Sequence, residues 1–190
     1  MVCLHALTGV PSPIPYLTSR GAPRAREGSG IVGEMFGRRP DAVRVIPGLR
    51  MGSAPTGRDA VRLTRDGIDS VVDLREEGSD VVHWPPEVFV RHLPLVDHGT
   101  PTLDALRDAA TAVSGLVNQG HEVLVHCHAG VERTPMVVCA ALMMMGWSLA
   151  DAYQRVLRVR SVSAPTDGQL ATLRALSAEL AAHHYPAPST

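Results

Sequence analysis

Ten consecutive residues constrain the fold most: His126-Cys127-His128-Ala129-Gly130-Val131-Glu132-Arg133-Thr134-Pro135. They lie between a short apolar run, Val123 to Val125, and the most apolar helical stretch of the chain, which opens at Thr134-Pro135. Pro135 belongs in a first helical turn, where its missing N–H is not needed by the helix. A buried strand that passes through a curled loop directly into a helix is the unit from which layered α/β folds are built.

The flanking pattern repeats that theme. Val43 to Ile46 is a β-branched run closed by Pro47-Gly48, and Leu49 to Gly52 can pair beside it before the turn at Ala54-Pro55. Thr56 caps a predicted helix with apolar Ala60, Val61 and Leu63, and Gly67 stands where such a helix stops. Ile68 to Leu74 reads as a buried strand. Val88 to Leu95 reads as another, left through Asp97-His98-Gly99. Thr102 opens a helix whose apolar positions recur at helical spacing until Gly120. Two more helices are predicted, from Ser148 to about Arg160 and from Thr166 or Asp167 to about Ala182. The expected fold is therefore α/β, with a central, mostly parallel twisted sheet of about four to five strands flanked by helices.

A chain of 190 residues suits one domain, assigned to residues 41–185. Residues 1–40, rich in Pro, Gly and Ser with five arginines, read as an irregular extension, and 186–190 as a tail. Eighteen basic against nineteen acidic residues leave a net charge of −1, so no global field draws the protein to nucleic acid or to a membrane surface. Any anion site must be local. The longest apolar run, Met136 to Trp147, falls short of the roughly 20 residues of a membrane span. Three cysteines, Cys3, Cys127 and Cys139, make no disulfide framework and point to a reducing, cytoplasmic setting.

The ten-residue loop supplies such a local site. A chain curling off a strand end can aim the N–H groups of His128, Ala129, Gly130, Val131, Glu132 and Arg133 into one cup, and the following helix adds its unpaired N–H groups and positive dipole end. Gly130 permits the curl. Arg133 can offer two parallel donors to two oxygens of a phosphate. Cys127 at the mouth of the cup sits in a field that favours the nucleophilic thiolate. His126 can support that thiolate indirectly, and the Thr134 hydroxyl can donate to the sulfur as it leaves. His126-Cys127-His128 lacks ligand-spaced partners and alternates across the chain, so neither metal nor cofactor is expected.

His126, Cys127, Gly130, Arg133 and Thr134 match the HCxxGxxR[S/T] signature, and the chain resembles the cysteine-dependent phosphatases, in particular their dual-specificity branch. The likeness extends to Pro47–Pro55, Gly67–Arg75 and Pro165–Gln169, about residues 43 to 180 in all. It implies hydrolysis of phosphomonoesters through a phosphocysteine, on phosphorylated proteins or small phosphomonoesters. The family's proton donor maps to Asp97, thirty residues before Cys127 and on a loop, where a mobile carboxylic acid can reach a departing oxygen. Asp73, Asp80 and Asp104 are its competitors. A phosphate-binding module without turnover, and a phosphatase for lipid, carbohydrate or nucleotide phosphates, are the alternatives.

Two residues depart from the family pattern. Glu132 puts a carboxylate into an anion loop and must face outward or pair with a cation. His128 adds a titratable ring whose effect the sequence does not assign. Cys139 and Met143 to Met145 read as core packing. Gln169 is expected to make a structural hydrogen bond, with water positioning as its alternative.

Overall fold

The computed structural model describes residues 39–79 and 83–184. The expectations for residues 1–38, for 186–190 and for Asp80 lie outside the described residues. Among them, five strands form one sheet: β1 (Ala42–Ile46), β2 (Leu49–Ser53), β3 (Ser70–Arg75), β4 (Phe89–Leu95) and β5 (Val123–Cys127), in the order β1-β2-β5-β3-β4. Only β1 and β2 are antiparallel; the other pairings are parallel, as the strand-helix alternation predicts. The helices are α1 (Gly57–Arg65), α2 (Leu103–Asn118), α3 (Arg133–Met144), α4 (Leu149–Val159) and α5 (Asp167–His184).

The helix ends follow from side-chain chemistry. Thr56, Thr102 and Ser148 each accept an N–H of their helix's first turn, as expected of N-caps. Thr166 and Gln169 bond reciprocally, Gln169 N–H to Thr166 Oγ1 and Thr166 N–H to Gln169 Oε1, so α5 opens in a capping box.

One boundary differs from expectation. Ile68 is buried but precedes β3, because it ends α1 instead of starting the strand. Gly67, at φ +95°, donates to Thr64 and Ile68 donates to Leu63, the paired bonds of a Schellman motif, and Leu63 and Ile68 share one apolar cluster. Its apolar character thus closes a helix.

The sheet has two unlike faces. Val123, Val125 and Cys127 of β5 join a large core built with α2, α3, α4 and α5, whereas Leu124 faces a smaller cluster with Ala60 and Leu63 of α1. Strand alternation therefore sends Cys127 toward α3 and His126 toward the opposite face. β4 is the outer strand, which is why Pro94 is tolerated within it. The register sets Ser53 beside Cys127 and Arg75 beside Leu95. The carboxyl ends of β2, β5, β3 and β4 thus share one edge, the edge where parallel α/β sheets bind ligands.

Candidate active site

The loop after β5 is shaped from outside. His128 O accepts the Ala54 N–H at 3.0 Å, and Val131 O accepts that of Ala164 at 2.8 Å. Arg160 donates Nε to Gly130 O at 2.8 Å and Nη2 to Ala129 O at 2.9 Å. Four successive carbonyls therefore face away from the cup. Across a trans peptide the next N–H points opposite to the carbonyl, so those of Ala129, Gly130, Val131 and Glu132 turn inward. Glu132 O accepts from Met136 inside α3, which leaves the Arg133 N–H pointing out of the helix end. Gly130, at φ +68°, is required: a Cβ there would stand 2.4 Å from Gly52 O.

Cys127 lies on the floor of this cup, buried, with its Sγ accepting the Gly130 N–H at 3.2 Å. Cys139 is the contrast. Embedded in α3, its thiol is pushed by burial up to about 12, and it serves as packing.

Arg133, only 1% exposed, lies under carboxylates. Asp97 Oδ1 is 2.8 Å from its Nη2, Glu77 accepts from both Nη atoms at 3.2 and 3.4 Å, and Leu95 O accepts from Nη1 at 3.2 Å. The fork expected to be open for phosphate is thus largely engaged, and Nε stays buried without a hydrogen-bond partner. Burial works against the Arg133 charge, but Glu77, Cys127 and Asp97 outweigh it and hold the guanidinium protonated. The same hydrogen bond from Arg133 holds the Glu77 carboxyl below the usual range.

Of the competing acids among the described residues, Asp97, Asp73 and Asp104, the structure brings Asp97 to Arg133. Asp73 is buried and paired with Arg75; burial raises its carboxyl, but the Arg75 bonds and nearby His126 bring it below the ordinary value. Asp104 pairs with Arg107 on α2. The acid loop is also tied down more firmly than a mobile loop would be. Glu76 Oε1 accepts the Asp97 N–H at 2.9 Å, Gln169 Nε2 donates to Gly99 O at 3.1 Å, and Thr172 Oγ1 donates to Pro101 O at 3.2 Å. Both ends of the Gln169 amide are occupied, so its role is structural.

His126 is buried on the far face, its Nδ1 3.8 Å from Asp73. The Thr134 hydroxyl is buried without a hydrogen-bond partner, and the sulfur takes its donor from Gly130. Glu132 turns toward a histidine, its Oε2 lying 2.9 Å from His98 Nδ1. His128 is exposed on the rim, with its ring 3.8 Å from Glu77.

Sequence reasoning missed Arg160 and Asp41. Asp41 grips Arg160 through both carboxylate oxygens, at 2.6 and 2.8 Å, across 119 positions, a pairing no local pattern discloses. It missed Glu77 as well, although a carboxylate just past the end of β3 stands at the ligand-bearing edge of the sheet. Replacing Arg160 by methionine is expected to lower Tm by roughly 4–8 °C, through the loss of about 2 kcal/mol of charged hydrogen bonds. It should also lower kcat/KM about tenfold. Thermal unfolding with and without inorganic phosphate checks this, since the stabilisation by phosphate should shrink too. The Asp41 carboxyl is held below its usual range chiefly by Arg160, so the brace is complete at neutral pH. It fades only as pH falls below the unfolded value and through that lowered one.

The family described as "Dual specificity phosphatase, catalytic domain" matches residues 50–179. Human dual specificity protein phosphatase 9 is 30% identical over 125 residues, 65% of this chain and 33% of that protein. The chain therefore spans about a third of that relative's length. Human dual specificity phosphatase 28 is 33% identical over 131 residues, 68% of this chain and 73% of that one. The crystal structure of human DUSP28 superposes with a TM-score of 0.65 at 30% identity, covering 74% of this chain and 99% of that one. Among the described residues, no helix is long and apolar enough to cross a membrane.

Proposed function

Because the chain belongs to the dual-specificity phosphatase family, we propose that it hydrolyses phosphotyrosine or phosphoserine/threonine esters in proteins through a phosphocysteine. One observation carries the reading. A buried thiol, a row of inward N–H groups, a buried guanidinium and a carboxyl 2.8 Å from that guanidinium converge at one sheet edge.

In the first step the Cys127 sulfur attacks phosphorus, an S–P bond forms and the ester O–P bond breaks. The departing oxygen takes the proton of Asp97. The N–H groups of residues 128–133 and the Arg133 guanidinium hold the three equatorial oxygens. An arriving dianion competes with Asp97 for Arg133. In the second step water attacks phosphorus, Asp97 accepts its proton, and the S–P bond breaks to return the thiolate. The Thr134 hydroxyl, buried without a partner in the free protein, can donate to the sulfur as it leaves, and His126 steadies Cys127 through the strand they share. A reactive thiol needs a reducing compartment, and the cytoplasm is the setting we propose.

The test is an aryl phosphate series. Turnover should be unaffected by a chelator, since the charge on the phosphoryl group is met by N–H groups and Arg133. Asp97→Asn should lower kcat on phenyl phosphate about 100-fold, with a much smaller loss on dinitrophenyl phosphate, whose leaving group needs no proton. An equal loss on both esters removes Asp97 as the proton donor.

A further inference from the structure

We propose that Glu132 is a positioning residue for the proton donor, latching the acid loop to the phosphate loop through His98. This rests on the phosphatase reading and adds to it a device that the signature does not contain.

A carboxylate in an anion cup opposes binding unless its charge is spent on something else. Glu132 occupies the N-cap position of α3, where a side chain would ordinarily bond the helix N–H groups, yet it makes no such bond. Its carboxylate stands beside the ring of His98 instead, Oε2 being 2.9 Å from Nδ1 but outside hydrogen-bond alignment. His98 adjoins Asp97 in sequence, and its Nε2 lies 3.8 Å from Asp97 Oδ2. The three side chains thus form a bridge from the phosphate loop to the proton donor.

His98 adopts φ +54°, a left-handed conformation that non-glycine residues rarely take, and persists there because its surroundings fix it. The other anchors run elsewhere: Glu76 holds the Asp97 N–H from the β3 side, and Gln169 holds Gly99 O from α5. The charged groups facing this bridge are Arg133, Glu77 and Glu76, and Arg133 bonds Asp97 directly. Like Arg133, which bonds Asp97 directly, and unlike Glu76 and Gln169, Glu132 belongs to the loop that holds the phosphoryl group. Its contact therefore fixes the spacing between the proton donor and the ester oxygen that Cys127 displaces.

The experiment compares phenyl phosphate with dinitrophenyl phosphate for Glu132→Gln, His98→Asn and the double variant, each with Asp97 intact and as Asp97→Asn. Asparagine tolerates the left-handed backbone, so His98→Asn removes the ring without forcing the loop, and Glu132→Gln keeps the shape of the side chain. Each single variant should lose about tenfold more kcat on phenyl phosphate than on dinitrophenyl phosphate, with KM little moved. The double variant should be no worse than either single one, and the differential should vanish in the Asp97→Asn background. Equal losses on both esters, additive losses, or a differential that survives Asp97→Asn would each overturn the latch. A parent chain that turns over neither ester overturns the phosphatase reading itself. That outcome is distinct from an active parent whose ratio ignores Glu132.

Discussion

Replacing Cys127 by serine is expected to cut turnover of an aryl phosphate by on the order of 10⁴-fold or more, to the solution background. The oxygen would occupy the same buried floor, under the same Gly130 N–H. A serine hydroxyl, however, must lose its proton to attack. The near carboxylates, Asp97 and Glu77, are ion-paired to Arg133; of the two histidines that flank Cys127, His126 is on the opposite face of the sheet and His128 is exposed on the rim beside Glu77. Among the described residues, none is paired with Cys127 as a base for that proton. Binding should survive, because the cup is main chain and Arg133, so inorganic phosphate should still raise Tm in the serine variant. Acid-quenched parent protein should carry a phosphoryl group on Cys127 and the variant none. Retained turnover by the serine variant removes the covalent mechanism.

Arg133→Lys should cost on the order of 10³-fold in kcat/KM, about 4 kcal/mol of transition-state stabilisation, although the charge is kept. The reason is geometric. The guanidinium meets Glu77, Asp97 and Leu95 O at once while its Nε stays buried without a hydrogen-bond partner. A lysine ammonium is a single point on a flexible stem and cannot span these groups. The loss should fall on binding as well as on turnover, with weaker inhibition by inorganic phosphate and a raised KM. A lysine variant with unchanged phosphate affinity would show that the main-chain amides hold the oxyanion alone.

The cup and its helix were legible because they are local. Gly130, the strand before it and the proline after it lie within a few residues, and backbone chemistry at that range leaves little choice. The same holds for the caps at Thr56, Thr102 and Ser148. Asp97 was legible through its loop and the family resemblance together, yet its firm anchorage was not, since Glu76 and Gln169 reach it from 21 and 70 positions away. Arg160 was illegible for the same reason. From the sequence it is the end of a helix, and only the fold reveals that its guanidinium turns two loop carbonyls outward. Ile68 misled for a subtler reason: residue type fixed its burial correctly but not its partners. Apolar character does not distinguish a strand from a helix end.

The outward-turned carbonyls have a consequence for how activity arises as the chain is made. Every letter of the signature has been translated by Thr134, but the residues that bend its backbone, Arg160 and Ala164, come about thirty positions later, and the Gln169 clamp on the acid loop later still. A nascent chain halted between those points would hold a cysteine, a glycine and an arginine in the right order without the curvature that unites them. The bracing of the cup by α4, α5 and the turn between them is therefore the last part of the site to be synthesised, and the emerging polypeptide acquires it only when the final portion of the domain has been threaded out and docked.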